Sequence, residues 1–263
     1  MSDLIQKTSK SVADSSSPVG FATTGGGSWP TWDRYLTVDG KNAYHLGNIC
    51  GTCAFLFERL EGANGTVDVG ALTARLEAGV TSLDDDLLDA LALLMPVSAY
   101  RVALLRMVPQ NVAPGSGRDY FAVEQVNNEG GVDSFWGLPH YPKVPYYRPA
   151  GRSEIPVEGD AKLFDFIIPM FPETWLKQER TQHYENALAG GSQPTVVALS
   201  VLDIKGPADA GVDHWCVAHY LLDGHHKTAA AARAGCPITM ISFIAVDHGI
   251  SDAAQVETAL GTY

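Results

Sequence analysis

The stretch HWCVAHYLLDGHHKTAAAARAGCPITMISFIAV, residues 214–246, constrains the fold more than any other part of the chain. Its apolar residues run almost unbroken over 216–222, stop at Asp223-Gly224, give way to an alanine-rich segment, and resume after Gly235 over 238–246. Unbroken apolar runs of this length read as strands covered on both faces, alanine favours helix, and glycine ends it. The order is therefore strand, turn, short helix, strand. Asp223-Gly224-His225-His226-Lys227 falls where the first strand gives way to the helix. First-turn N–H groups have no intrahelical partner there and the macrodipole is positive, so the turn suits phosphate or carboxylate. Gly224 permits close backbone approach to an anion, and two imidazoles and an ammonium supply donors. The plainer alternative is a βα turn that merely exposes polar residues. Finding His-His-Lys on one turn favours the anion site.

The 263 residues make one large domain or two small ones. With 46% hydrophobic and 18% charged residues the chain is globular in composition. It has no apolar run near the ~20 residues of a membrane span. A formal charge of −12 argues against nucleic acid or anionic membrane as partners, but leaves room for a local cationic pocket. The absence of a basic-then-apolar leader predicts a cytoplasmic protein, and four cysteines in this length are not a secreted disulfide framework.

Residues 1–28, with SSSPVG and TTGGGS, lack a sustained apolar period and are expected to form a flexible arm. Residues 29–150 are expected to form an α/β region. It has a strand at 43–46, a helix at 54–60 after the Cys50-Gly-Thr-Cys53 turn, and a helix capped by Asp68 and ended by Gly79. Ser82 is the expected cap of a further helix through Leu94. Asp84, Asp85 and Asp86 would fill its first turn, a position that explains them without a metal. Strands follow at 100–108 and 119–126, separated by the turn-rich loop 109–117. The segment FWGLPHYPKVPYYRP, 135–149, has no helical period and reads as a long loop, either a lid or a rigid proline-aromatic clasp. Residues 151–263 then alternate: strand 163–169, helix 174–188, strand 195–203, the unit described first, and a short terminal helix or tail from Asp252.

Read as one pattern, 163–246 resembles the ParB/sulfiredoxin-type domain, through IIPMFPETW, GGSQPTVVAL and LLDGHHKTAAAARAGCPITMISFIAV. The fold class this implies is α+β: a ParB/sulfiredoxin-like C-terminal domain with an N-terminal α/β elaboration. Sulfiredoxins carry a reactive cysteine where this chain has His225, so that chemistry is excluded by residue type. ParB proteins carry basic DNA-binding helices for which this chain is too acidic. The turn is most similar to that of the free serine kinase branch. The resemblance implies Glu173, after Pro172, as catalytic base, with His225 and His226 in the catalytic turn. It implies Asp223, Gly224, His225, His226, Lys227 and Thr228 as the phosphate-binding set. Lys227 replaces an arginine, which keeps the charge but loses the bidentate fork.

The expected function is thus a phosphate- or nucleotide-binding enzyme that transfers phosphoryl to a small molecule, or hydrolyses it, with a nucleotide and Mg²⁺. The alternative is a noncatalytic nucleotide-responsive interaction module. His140 and Arg148, in or beside the proline-aromatic loop, are expected substrate contacts. Cys50 and Cys53 have zinc-ligand or redox spacing, or are ordinary reduced thiols; a zinc site needs further ligands, and no second CxxC exists.

Overall fold

The computed structural model describes residues 2–64, 67–124, 144–152, 154–206 and 211–263. The strands in the first half are β1 (Asp3–Val12), β2 (Val19–Gly26), β3 (Trp29–Val38), β4 (Lys41–Asn48), β5 (Glu58–Arg59), β6 (Ser98–Met107) and β7 (Pro109–Val112). In the second half they are β8 (Tyr146–Pro149), β9 (Ile155–Pro156), β10 (Lys162–Pro169), β11 (Thr195–Lys205), β12 (His214–Asp223) and β13 (Ile238–Ala245). The helices are α1 (Thr73–Ala78), α2 (Asp85–Ala92), α3 (Tyr120–Val123), α4 (Gln178–Ala189), α5 (His225–Ala234) and α6 (Ala253–Leu260). The architecture is mixed α and β, consistent with α+β.

A nine-stranded sheet runs β1-β6-β13-β11-β12-β10-β8-β7, with β9 beside β10. The pairs β11/β13 and β10/β12 are parallel and the others antiparallel. The central strands are mostly apolar because both faces are covered, and their few polar side chains, among them Asp165, Ser200, His219 and Ser242, are buried as well. Val102, Leu104, Phe164, Phe166, Leu199 and Tyr220 point into one core, shared with the four-stranded sheet β2-β3-β4-β5 and with α1 and α2. Ala103, Leu105, Leu163, Ile167, Ala198 and Leu221, one register away, point into a second core under α4, α5 and α6. Arg34 of β3 bonds the Asp203 carboxylate of β11 through both guanidinium nitrogens, at 2.9 and 2.6 Å, and pins the small sheet to the large one.

Several expectations are overturned. Residues 1–28 are not an arm: β1 is an edge strand paired with β6, and β2 joins the small sheet. The large sheet therefore draws strands from all three expected parts of the chain. No helix forms at 54–60; Phe55 and Phe57 enter the core from an extended segment that ends in β5. Where a strand is expected at 119–126, Tyr120–Val123 form α3, because the Asp119 carboxylate accepts from the Phe121 N–H and caps a helical turn; 125 and 126 lie outside the described residues. Asp84, not Ser82, caps α2 by accepting from the Leu87 N–H at 3.0 Å. The helix expected over 174–188 is a 3-10 turn at Glu173–Trp175, a break at Leu176 and Lys177, and then α4. Within 135–149, residues 146–149 are strand β8 and 135–143 lie outside the described residues.

Candidate functional site

The turn from β12 into α5 closes around Gly224, whose φ of 98° lies in the left-handed region. A Cβ there would sit 2.3 Å from Val196 Cγ1, so close packing on β11 demands glycine as firmly as the dihedral does. The motif's side chains turn out to be engaged with the protein. Lys227 is buried; its Nζ donates to the Thr195 carbonyl and to Asp223 Oδ2, both at 3.0 Å. Thr228 Oγ1 donates to the Gly224 carbonyl at 3.0 Å. Of the expected phosphate-binding set, then, Lys227 and Thr228 are turned inward, and Asp223 is the partner of Lys227.

His225 and His226 do something the sequence did not announce. The Met170 N–H donates to His225 Nε2 at 2.9 Å, and the Lys177 N–H donates to His226 Nε2 at 3.0 Å. Both rings therefore grip the ends of the loop that carries Pro172 and Glu173. An accepting Nε2 has no proton, so each neutral ring carries its hydrogen on Nδ1. The His225 ring stacks on Phe171 at 3.8 Å. Burial pushes its pKa from the ordinary 6.5 to about 3, with His226 adding to the shift. His226, half-buried, is also held below 6.5, first by burial and then by the positive charges of Arg180 and Lys177.

Two hollows meet at this loop and share Phe171, Leu176 and His225. One is an open basin along the start of α5, about 1610 Å³ including open solvent, with mixed walls on which Trp175, Leu176 and Tyr184 stand beside Asp68, Thr174, Lys177, Arg180 and His226. The other is a slot of about 670 Å³ walled by Tyr44, Tyr147, Pro169, Pro172 and Leu221, with Arg59 and Glu173 as its charged groups. Arg59 Nε is buried without a hydrogen-bond partner, although its Nη2 bonds the Ala63 carbonyl at 2.9 Å and Asn64 Oδ1 at 2.6 Å. Glu173 is exposed at the slot.

Lys177, Arg180 and Arg59 were not singled out in the sequence, because each lies far along the chain from the turn it faces. A weak signal existed for the first two: they flank the start of a helix directly after Pro172-Glu173. Arg148, an expected substrate contact, is instead buried on β8, where it pairs with Glu124 Oε1 at 2.7 Å and donates to the Arg118 carbonyl at 3.2 Å. His140 lies outside the described residues. Cys50 and Cys53 come together in one turn, but no group of three His, Cys, Asp or Glu side chains suited to a metal occurs among the described residues. His45, just upstream, bonds Asp33 Oδ1 at 3.0 Å.

Ser200, His219 and Asp165 have the residue types of a nucleophile triad. Ser200 Oγ lies 2.8 Å from His219 Nδ1, and His219 Nε2 lies 4.0 Å from Asp165 Oδ1. All three are fully buried, Ser200 is shared with Ser242, and Arg152 and Tyr263 close over Asp165. This is a polar core network without substrate access. Burial holds the His219 pKa down at about 4.

No family model matches the chain, and neither a curated protein nor a solved structure matches it. No helix among the described residues is long and apolar enough to cross a membrane.

Proposed function

We propose that the double cleft binds a phosphorylated small molecule, a nucleotide by preference. Its phosphates would lie in the basin at the start of α5, and its apolar or ring portion in the adjoining slot. The observation that carries this reading is the meeting of a helix N-terminus with Lys177, Arg180 and His226 beside an apolar slot, across the shared wall of Phe171, Leu176 and His225. Backbone N–H groups and flanking cations together favour a multiply charged anion. The phosphate contacts shift from the side chains of Lys227 and Thr228 to the backbone of residues 225–227 and to Lys177 and Arg180. The reading includes a ParB/sulfiredoxin-like character for residues 163–246.

The proposed reaction is phosphoryl transfer. Glu173 accepts the proton of an acceptor hydroxyl, the hydroxyl oxygen bonds to phosphorus, and the bond from phosphorus to the bridging oxygen breaks, leaving its electron pair on the departing phosphate. Water in place of the acceptor gives hydrolysis. Mg²⁺ would arrive on the phosphates, completed by at most one or two carboxylates. One observation favours the alternative of binding without turnover: the exposed Glu173 side chain makes no hydrogen bond among the described residues, so nothing orients it until ligand is present.

A thermal-shift screen against nucleoside di- and triphosphates and pyrophosphate, with and without Mg²⁺, tests binding, since a ligand of the native state raises the melting temperature. The proposal expects a shift that Arg180→Ala weakens, and turnover of the hit that Glu173→Gln abolishes while the shift remains. No shift with any phosphate would overturn the site. A shift without turnover in the unaltered protein would leave the binding module.

A further inference from the structure

The Cys50-Gly51-Thr52-Cys53 turn lies apart from the cleft, between β4 and the extended segment that leads to β5. Both thiols are free and half-buried. The Thr52 hydroxyl lies 3.3 Å from the Cys50 sulfur, within hydrogen-bond reach, and both sulfurs belong to the same turn. The turn is fixed from behind. The buried ammonium of Lys205 donates to the carbonyls of Asn48 at 3.0 Å and Cys50 at 2.7 Å, and the Gly206 N–H donates to the Gly51 carbonyl at 2.7 Å.

From this geometry we infer that Cys50 and Cys53 form an oxidisable dithiol, in which Cys50 reacts with a hydroperoxide and Cys53 resolves the product. A hydroxyl within hydrogen-bond reach of a half-exposed sulfur, on a turn held rigid from behind, stabilises the thiolate that does the chemistry. The two sulfurs differ in the required sense. Burial raises Cys50, but the hydrogen bonds from Cys53 and Thr52 outweigh it and hold the thiol below its usual range. Cys53 is pushed up to about 11, first by burial and then by its bond to Cys50.

The steps balance. The Cys50 thiolate attacks the peroxide oxygen, the O–O bond breaks, and one oxygen leaves as water (or an alcohol) after taking a proton. Cys50 is then a sulfenic acid. The Cys53 sulfur attacks Cys50, the S–O bond breaks, a second water leaves, and the disulfide forms. Sulfur has lost two electrons and the peroxide has gained them. A dithiol reductant restores the pair.

The protein contains its own control, because Cys236 is also half-buried and Cys216 is buried. Competitive alkylation of the reduced protein near neutral pH, read by peptide mass spectrometry, should label Cys50 about tenfold faster than Cys236. Hydrogen peroxide should then give a disulfide joining 50 and 53. Cys53→Ser should stop at a sulfenic acid on Cys50 that a 1,3-dione traps, and Cys50→Ser should leave Cys53 unmodified over the same interval. Equal labelling of Cys50 and Cys236, or a disulfide that joins other cysteines, would overturn the assignment. The labelling comparison needs no variant and does not depend on one folding.

Discussion

Two polar turns, each at the end of a strand, invite opposite readings of what a motif means. In the β12–α5 turn the conspicuous side chains are spent on the fold: Lys227 on Thr195 and Asp223, Thr228 on Gly224, and the two imidazoles on the backbone of Met170 and Lys177. In the Cys50–Cys53 turn the sulfurs are half-buried rather than sealed in, Cys50 lies beside the Thr52 hydroxyl, and it is the backbone that ties the turn to Lys205 and Gly206. Residue types announce chemistry in both. Only the disposition of their polar atoms tells structural use from reactive use.

The contrast breaks most sharply at Gly224. Replacing it by alanine forces a side chain into a left-handed dihedral and against Val196, and should cost about 2–5 kcal/mol in denaturant unfolding. A loss below about 1 kcal/mol would mean that the turn is slack. The second effect is on pH. Unfolded His225 takes up a proton below about 6.5, whereas the folded ring refuses it until about 3. The stability it contributes is fully present above 6.5 and falls as pH drops from there toward 3, by up to about 1.4 kcal/mol per pH unit. His219, held at about 4, adds the same sign over 6.5 to 4. His225→Gln can still accept from Met170 but does not titrate, so it should flatten the stability–pH curve in this window; an unchanged slope would remove His225 as its source.

A smaller pair of effects separates fold from ligand on the cleft itself. Lys227→Met leaves Asp223 and a buried carbonyl without their cation and should cost about 1–3 kcal/mol of stability. Arg180→Ala should leave stability within about 0.5 kcal/mol while weakening pyrophosphate binding by about tenfold. The opposite ranking in either measurement would return Lys227 to the phosphate site. Smallest of all, Cys50→Ser and Cys53→Ser should each change unfolding free energy by less than about 0.5 kcal/mol. A larger loss would make that turn as structural as the other one.

The central strands were legible because residues such as 163–168, 195–202 and 238–245 are mostly apolar with little alternation, as strands buried on both faces are. Strand β1 was not, since Asp3–Val12 alternates exposed and half-covered residues and owes its place to the ladder with β6 rather than to hydrophobicity. The Phe55/Phe57 alternation was a period-two signal hidden inside a run that also reads as helical. At the cleft, the turn's location and the need for Gly224 were readable. The inward turn of Lys227 was readable only in hindsight, from its i,i+4 spacing to Asp223. Lys177, Arg180 and Arg59 reach the site through tertiary folding, which local pattern does not encode.

The grip of His225 and His226 on Met170 and Lys177 has a mechanical consequence. Adjacent residues on one rigid helix hold two points seven positions apart on the same loop, with Glu173 slung between them. The loop is a bridge whose two abutments stand on a single foundation. Anything that shifts the start of α5 moves both abutments at once, so under the proposed function seating an anion and setting the carboxylate would be one displacement rather than two.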